Sequence, residues 1–221
     1  MNKFYSLNSV LQWILAILLL SLGIYPAGLI FDLAKDQAIY YALFIFYVPL
    51  AQFAFTPFFK LIGVYRYYSP MLLAYMPSDK QLDLHSGTSF DYLLVMRGLK
   101  PGNALRNKIL TYHLEGLLNI ANKIENEELP KSVKVMGTSY FFSERTLQKF
   151  GFELEKASLG YTFNLYLNII DLSWMYSLSR ASFQLPRLNK VKKAVISGDD
   201  LLKNRDEIQR VYTLLKSKNV E

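Results

Sequence analysis

The apolar stretches VLQWILAILLLSLGIYPAGLI, at residues 10–30, and AIYYALFIFYVPLAQFAFTPFFKLIGV, at residues 38–64, decide the fold of this chain. Each is long enough to cross the roughly 30 Å of hydrocarbon in a bilayer as a helix, which takes about 20 residues. Asp32, Lys35 and Asp36 supply the only charges between the two stretches. The sequence therefore predicts a helical hairpin with two membrane spans and a short turn outside the membrane.

The polar residues inside the hairpin indicate what it can do. Before Lys60, the two stretches contain no acidic or basic side chain. Ion and proton pathways usually need ionisable groups at depth, so the hairpin is predicted to be a tether. Gln52 and Thr56, between Pro49 and Pro57, could form a pocket or a helix interface, or could belong to kinks that transmembrane helices tolerate.

The charges at the ends of the hairpin predict its orientation. Lys3 precedes the first span, Lys60 and Arg66 lie at the end of the second, and Lys35 is the one cation in the turn. By the positive-inside rule, both termini lie in the cytoplasm. Tyr25 stands where a cleavable signal peptide needs a small residue, so the first span is expected to stay as an anchor. The chain is therefore predicted to be an integral membrane protein with two spans.

Composition limits the other classes of function. Of the 221 residues, 52% are hydrophobic, which is more than in an average soluble domain. The chain has no cysteine, and its two histidines, His85 and His113, are far apart in sequence, so no metal site is expected. The net charge of +7 could attract nucleic acid, but for a tethered chain the anionic headgroups of the bilayer are the nearer partner. We expect a membrane partner and no nucleic acid.

The chain divides into the hairpin at residues 1–66 and one cytoplasmic domain at residues 67–221. Tyr65–Ser69 is expected to connect them and to hold the domain close to the bilayer. The alternation of apolar and polar residues then predicts an antiparallel meander with strands at residues 71–76, 81–85 and 90–96. A helix over residues 104–126 has a wide apolar face, which should cover the sheet.

The rest of the domain continues the alternation of helices and strands. The predicted elements are a strand at residues 132–138, a helix at 143–150, a strand at 152–156, a last strand at 191–197 and a helix at 204–216 with a capping box at Asn204 and Glu207. Residues 161–185 fit either a helix, with Asn164, Asn168 and Asp171 on one stripe, or a strand. As a helix, the segment would lie in the membrane interface or cap the sheet. The sequence predicts a mixed α+β domain with helices packed on its sheet.

Two blocks of the domain resemble a known family. VKVMGT at Val133–Thr138 and SERTLQKFGFE at Ser143–Glu153 are similar to the closing strand, helix and Gly-Phe-Glu strand of the GNAT superfamily of acyl-CoA-dependent N-acyltransferases. The resemblance covers about residues 71–156. It implies a single GNAT-like domain with a mixed, mainly antiparallel sheet flanked by helices, and acyl-CoA as the cofactor.

The loop before the long helix carries the second part of the resemblance. In the family this loop reads Gln/Arg-x-x-Gly-x-Gly/Ala, and this chain has Leu-Lys-Pro-Gly-Asn-Ala at residues 99–104. The resemblance implies that the cofactor is bound by Leu99, Lys100, Gly102, Asn103 and Ala104. Free amides at a helix N-terminus beside a glycine suit a pyrophosphate. An ordinary Pro-Gly turn with Asn103 as the N-cap explains the same residues equally well.

The catalytic residues stay unassigned at this point. Many family members carry a tyrosine general acid four residues before the glycine of the last block, where this chain has Leu147. By residue type, the candidates for a general base are His85, Asp91 and Glu115. His113 lies on the apolar face of the predicted long helix, where it is either catalytic or a buried histidine with one hydrogen bond.

Two functions follow as expectations. In the first, the domain binds acyl-CoA and either transfers the acyl group to a membrane-associated substrate, as an N-acyltransferase, or only holds it. In the second, the protein is a non-catalytic membrane-bound interaction protein, such as an immunity, scaffold or regulatory factor, that recognises a protein partner. The absence of a tyrosine at residue 147 favours the second function, and the glycine loop favours the first.

Overall fold

The chain folds as a helical hairpin joined to a mixed sheet, in a computed structural model that describes residues 2–138, 143–186, 188 and 191–218. Helix α1 spans Ser9–Asp36, a 3-10 segment follows at Ala38–Leu43, and helix α2 spans Phe44–Leu61. Among the described residues, these are the two helices long and apolar enough to cross a membrane. They pack side by side, as the two apolar stretches predict.

Gly23 marks the closest approach of α1 and α2. A Cβ atom at this position would lie 2.5 Å from the Phe55 ring and 3.0 Å from the Ala54 side chain. The Tyr47 hydroxyl also donates a hydrogen bond to the Gly23 carbonyl at 2.8 Å. Small residues let transmembrane helices approach closely, and van der Waals packing then holds them together. Glycine is therefore required where the two helices meet.

The domain is built on a six-stranded sheet with the order β1-β2-β3-β4-β6-β5. Strands β3 and β4 run parallel, and every other neighbouring pair is antiparallel. The strands are β1 (Tyr65–Ser69), β2 (Leu72–Tyr75), β3 (Gln81–Ser86), β4 (Lys134–Thr138), β5 (Glu153–Lys156) and β6 (Lys192–Ser197). The prediction of a mixed, mainly antiparallel sheet is confirmed.

One face of the sheet is covered by the long helix α4. The domain helices are α3 (Ser89–Val95), α4 (Asn103–Glu125), α5 (Glu144–Lys149), α6 (Leu159–Leu167), α7 (Ile169–Arg180), α8 (Gly198–Lys203) and α9 (Arg205–Ser217). Leu114, Leu117 and Ile120 of α4 are buried in one cluster with Leu72 and Leu82 of the sheet. Burying each such side chain stabilises the fold by about 1.5–3 kcal/mol. This cluster is the main core.

The strand predicted at residues 90–96 is wrong, because these residues form helix α3. Its N-terminus carries a capping box: the Thr88 side chain accepts from a backbone N–H, and the Asp91 carboxylate accepts from the Thr88 N–H at 3.1 Å. These two bonds satisfy amides that the first helical turn leaves without partners. The apolar run fitted both structures, and the cap decides for the helix.

Three other boundaries differ from the predicted ones. Tyr65–Ser69 is an edge strand, β1, rather than a plain connection, so the meander is β1-β2-β3. Residues 161–185 contain helices α6 and α7, which settles the choice between helix and strand. Helix α8 was not predicted, and Asn204 donates to the Asp200 carbonyl at 2.8 Å instead of making a side-chain cap for α9.

Candidate functional site at the opening of the sheet

The parallel strands β3 and β4 separate at their carboxyl ends. Their pairing ends at Leu84 and Gly137, whereas β3 stays paired with β2 as far as Ser86 and β4 stays paired with β6 as far as Thr138. A Cβ atom at Gly137 would lie 3.1 Å from the Leu84 carbonyl oxygen, so the backbones are in close contact just before they part. The carboxyl ends of parallel strands are where open sheets usually bind ligands.

A cavity of about 660 Å³ occupies this opening. The turn after β3 lines it with Ser86, Gly87 and Thr88, and β4 with Gly137 and Thr138. Further lining residues come from both faces of the sheet, from helices α4, α6 and α7, and from the hairpin helix α2. This volume lies within the range of pockets that hold small ligands. The cavity therefore joins the sheet to the helix predicted to cross the membrane.

Asp83 and His85 form an acid–imidazole pair in this cavity. They are two residues apart on β3, so both side chains lie on the same face of the strand. His85 Nε2 is 3.3 Å from Asp83 Oδ2, and the side chains are 37% and 25% exposed. A proton on Nε2 facing the carboxylate leaves Nδ1 as the basic nitrogen. The pair has the composition of a general base with an orienting carboxylate.

Aromatic rings border this pair on the side of the hairpin. The Tyr75 ring meets the His85 imidazole edge-on with centroids 6.5 Å apart, and Tyr75 in turn packs on Tyr65 at 5.9 Å. Phe59 of α2 continues the row, with its ring centroid 5.4 Å from that of Tyr65. All four residues line the cavity. Burial raises the pKa of Tyr65 to about 12, so its hydroxyl stays protonated at neutral pH.

A stripe of polar residues on α6, on α7 and at their junction also lines the cavity. Asn164, Asn168 and Asp171, which share a helical spacing in the sequence, all line it. The Asp171 carboxylate is 3% exposed and accepts from Trp174 Nε1 at 2.8 Å. Its other oxygen and the nearby Ser89 hydroxyl are both buried, and neither completes a hydrogen bond among the described residues. Burial raises the pKa of Asp171, and the contacts with Trp174 and Ser89 oppose this increase.

Two polar residues of α2 connect the hairpin to this site. Gln52 donates to the Asn168 side chain, and Gln52 itself lines the cavity. Thr56 Oγ1 lies 2.9 Å from Thr88 Oγ1, at the turn that follows β3. In the structure, Gln52 and Thr56 therefore form an interface with the domain, and Gln52 also lines a pocket.

Asp91 is a structural carboxylate rather than a wall of the cavity. It is fully buried and accepts from Tyr67 Oη at 2.6 Å, from Asn2 Nδ2 at 3.2 Å and from both the N–H and the hydroxyl of Thr88. Burial raises its pKa, and these hydrogen bonds oppose the shift. Removing a carboxylate from water is costly unless such bonds replace the water. Asp91 therefore ties the N-terminus, β1 and α3 together.

The remaining catalytic candidates differ in whether they line the cavity. Glu115 is partly exposed on α4 and does not line the cavity, and Leu147 lines it as a buried apolar side chain. His113 lines the cavity from α4, and burial lowers its pKa to about 4. Its imidazole is therefore neutral at physiological pH. Of the three base candidates, His85 is the one in the cavity.

The predicted cofactor loop lies at the N-terminus of α4, outside this cavity. Gly102 adopts a φ of +100°, and its N–H donates to the Leu178 carbonyl of α7 at 2.8 Å. Leu99 packs against a smaller apolar cluster that includes Met96, Leu105 and Met175. Lys100, Asn103 and Ala104 are exposed. Gly102, not Asn103, is the N-cap of α4.

A second, more open groove of about 770 Å³ lies between this loop and α7. Its lining is almost entirely apolar and includes Pro101, Ile170, Trp174, Leu178 and Phe183. Helix α7 thus has the cavity on one side and the groove on the other. Asp171 and Met175 face the cavity, and Trp174 and Leu178 face the groove.

The comparisons with known proteins add no relative. No protein-family model, no curated protein and no solved structure matches the chain. Within residues 2–138, 143–186, 188 and 191–218, no three acidic or histidine side chains are close enough to hold a metal ion. The function must therefore be argued from the cavity itself.

Sequence reasoning missed Asp83 as a site residue and missed that Asn164, Asn168 and Asp171 line the cavity. A signal was present in each case. The alternation Leu82-Asp83-Leu84-His85 puts the acid and the imidazole on one face of a strand, and the spacing of the three polar residues puts them on one face of a helix. What the sequence could not show is that these two faces meet.

Proposed function

We propose that this protein is a membrane-anchored acyltransferase that moves an acyl group from acyl-CoA to an amine at the membrane surface. The observation that carries the proposal is the Asp83–His85 pair inside a ligand-sized cavity at the open carboxyl ends of β3 and β4. The resemblance of residues 71–156 to GNAT enzymes supports the same reaction class. The hairpin spans the membrane, and both termini and the domain lie in the cytoplasm.

His85 is the general base of this reaction. The acceptor amine attacks the carbonyl carbon of the thioester, a C–N bond forms, and the C–S bond to coenzyme A breaks. His85 takes the proton from the amine and returns it to the departing thiolate, which leaves as free coenzyme A. Asp83, with Oδ2 3.3 Å from His85 Nε2, orients the ring and stabilises the imidazolium that forms.

The donor lies across α7. Its pyrophosphate occupies the N-terminus of α4, where the exposed Asn103 and Ala104 offer helix-end amides and Lys100 adds positive charge. Its thioester reaches the cavity beside Asp171. From Leu178, which contacts the cofactor loop, to Asp171 the distance along α7 is about 10 Å at 1.5 Å per residue, a span that an extended arm covers.

Calorimetric titration of palmitoyl-CoA and acetyl-CoA into the purified protein in nanodiscs tests donor binding. Ala104→Glu places a carboxylate next to the proposed position of the phosphate, which it should repel. The fold should be preserved, because acidic residues are favourable at a helix N-terminus. We expect this variant to weaken binding at least tenfold. Gln209→Glu on exposed α9 also adds one negative charge, and this variant should bind acyl-CoA like the wild type.

Release of coenzyme A tests the chemistry. Because the chain has no cysteine, a thiol reagent detects only the coenzyme A set free when acyl-CoA is mixed with the nanodiscs and an amine-bearing lipid such as phosphatidylethanolamine. Binding of acyl-CoA without release of coenzyme A would mean that the protein binds acyl-CoA but does not transfer its acyl group. No binding of either thioester would reject the proposal and favour the non-catalytic interaction protein.

A further inference from the structure

We infer that α6, α7 and the segment after them are embedded in the same leaflet that the hairpin leaves, so that the domain lies against the bilayer along this surface. The surface consists of Leu159, Phe163 and Tyr166 of α6 together with Phe183 and Leu185 after α7. Its occupant is the lipid bilayer. The inference rests on the spanning hairpin of the proposed function but not on acyl transfer.

Helix α6 exposes large apolar side chains, unlike a surface helix in water. Leu159, Phe163 and Tyr166, spaced four and three residues apart, are 91%, 64% and 51% exposed. Asn164 and Asn168 border the cavity, Asn164 as an exposed side chain and Asn168, just after the helix, as a partly buried one. A helix on a soluble protein turns its polar side outward, because exposed apolar area is costly in water. An apolar side facing outward indicates that the surroundings are not water.

Helix α9 of the same domain shows the usual arrangement. It buries Ile208 and exposes Asp206, Gln209, Arg210 and Lys216. The exposure of large apolar side chains is therefore marked on one part of the domain. Phe183 and Leu185, which are 83% and 60% exposed, line the apolar groove together with Ile169 and Ile170 at the start of α7. Exposed apolar area of this kind marks an interaction site.

The hydrogen bond from Gln52 to Asn168 fixes the depth of this surface. Between the turn of the hairpin and Gln52 lie the 3-10 segment and the first half of α2. This stretch covers about 24 Å, at roughly 2.0 Å per residue in the 3-10 segment and 1.5 Å in the helix. A hydrocarbon layer is about 30 Å thick. With the turn at the far boundary, Gln52 is still inside the layer, and Asn168 is beside it.

The same depth applies to the α6–α7 junction, because Asn168 lies between the two helices. Helix α7 then runs along the interface and ends at Arg180, whose guanidinium lies 5.2 Å from the centre of the Tyr176 ring. A tyrosine–arginine pair at the end of an interfacial helix fits the headgroup layer, where aromatic rings and cations gather. Gln52 of α2 bonds to Asn168 next to this surface, so lipid that surrounds the hairpin also reaches it.

Nitroxide labelling tests this placement, and the absence of native cysteine makes every label specific. Phe163→Cys and Phe183→Cys report on the surface, in the full chain reconstituted into vesicles of phosphatidylcholine and phosphatidylglycerol. Leu22→Cys, 69% exposed in the middle of α1, reports on the span, and Leu214→Cys, 52% exposed on α9, is the matched apolar control outside it. Collision rates with oxygen and with a water-soluble nickel chelate give the depth of each label.

We expect the labels at residues 163 and 183 to collide with oxygen and to be shielded from nickel, as at residue 22, with the opposite result at residue 214. Nickel access at 163 and 183 with a shielded residue 22 would overturn the inference and leave the anchor intact. Nickel access at residue 22 would overturn the spanning hairpin itself. Shielding of 163 and 183 from both reagents would mean a protein partner and would also overturn the inference.

Discussion

At the scale of single residues, the chain separates titratable groups that resemble one another in sequence. Asp83 and Asp91 lie eight positions apart, yet Asp83 faces a ligand cavity and Asp91 is sealed among hydrogen-bond donors. His85 and His113 both line the cavity; His85 lies 3.3 Å from the Asp83 carboxylate, and His113 is buried, which lowers its pKa. In the proposed reaction, these environments make His85 the group that moves a proton.

Replacing His85 by glutamine should abolish turnover and spare donor binding. The imidazole is the proposed proton acceptor, and loss of a general base typically costs about 100-fold or more in rate. Release of coenzyme A measures the rate, and calorimetry measures the affinity. Glu115→Gln changes a base candidate outside the cavity and should leave both unchanged. Full activity of His85→Gln would remove His85 from the mechanism.

His113 should make the protein less stable as the pH falls. Burial lowers its pKa to about 4 from its usual 6.5, so between these values the unfolded chain takes up a proton that the folded chain does not. The resulting loss of stability approaches about 3 kcal/mol at pH 4. Asp91 and Asp171, whose pKa values are raised, act in the opposite direction, so the comparison with a variant is what isolates His113.

Thermal unfolding in detergent between pH 7 and pH 4 measures this dependence. The His113→Gln variant should lack the loss of stability that His113 causes between pH 6.5 and pH 4, so it should gain stability relative to the wild type as the pH falls. The His85→Gln variant should show no such gain, because the effect depends on the buried imidazole of His113. Parallel curves for the wild type and His113→Gln would contradict the assignment.

At the scale of elements, the contact of α1 with α2 depends on a single glycine. Gly23→Ala puts a methyl group 2.5 Å from the Phe55 ring, which must shift, and we expect a loss of about 1–2 kcal/mol from overpacking. Gly28→Ala on the same helix meets nothing within 4 Å. It should leave the stability unchanged or raise it slightly, because alanine favours a helix. Unfolding of both variants in detergent compares them, and equal effects would refute close packing at Gly23.

The sequence predicts elements well where one period is sustained. The helix over residues 103–125 and the strands near residues 72–75 and 134–138 follow from apolar spacing alone. It fails at residues 90–96, where a short apolar run fits a buried strand as well as a helix. Thr88 and Asp91, three positions apart, were the available cue for a helix start. The period of residues 161–167 was ambiguous for the same reason.

At the scale of the whole molecule, the hairpin and the domain should not be separable. Asn2 donates to Asp91, Phe4 and Phe53 pack on the Phe90 ring at 5.4 and 5.3 Å, and Gln52 bonds to Asn168. A fragment of residues 64–221 loses all of these partners and leaves Asp91 with fewer donors. We expect it to aggregate without detergent and to show no cooperative unfolding, whereas the full chain in detergent unfolds in one transition. A monodisperse, cooperatively folded fragment would contradict this.

The candidate site belongs to this scale too, and for that reason sequence reasoning found only part of it. His85 was named as a base candidate by its residue type. Its cavity is formed by strands, by α7 and by the hairpin helix α2, which are far apart in the chain. Contacts of this range depend on tertiary packing and leave no local period to read. The predicted role of the hairpin as a tether was therefore incomplete, because Gln52 and Phe59 are also walls of the cavity.

The carboxylate of Asp91 also has a consequence for the order of assembly. Its contact with Asn2 closes a separation of 89 residues, and its contact with Tyr67 closes one of 24. Contacts of long range form late, because the chain entropy must be lost before they stabilise anything. The hairpin can enter the bilayer while β2, β3 and α3 are still being made. The contact of Asn2 with Asp91 then forms late, when the first turn of the chain meets a residue that was synthesised long after it.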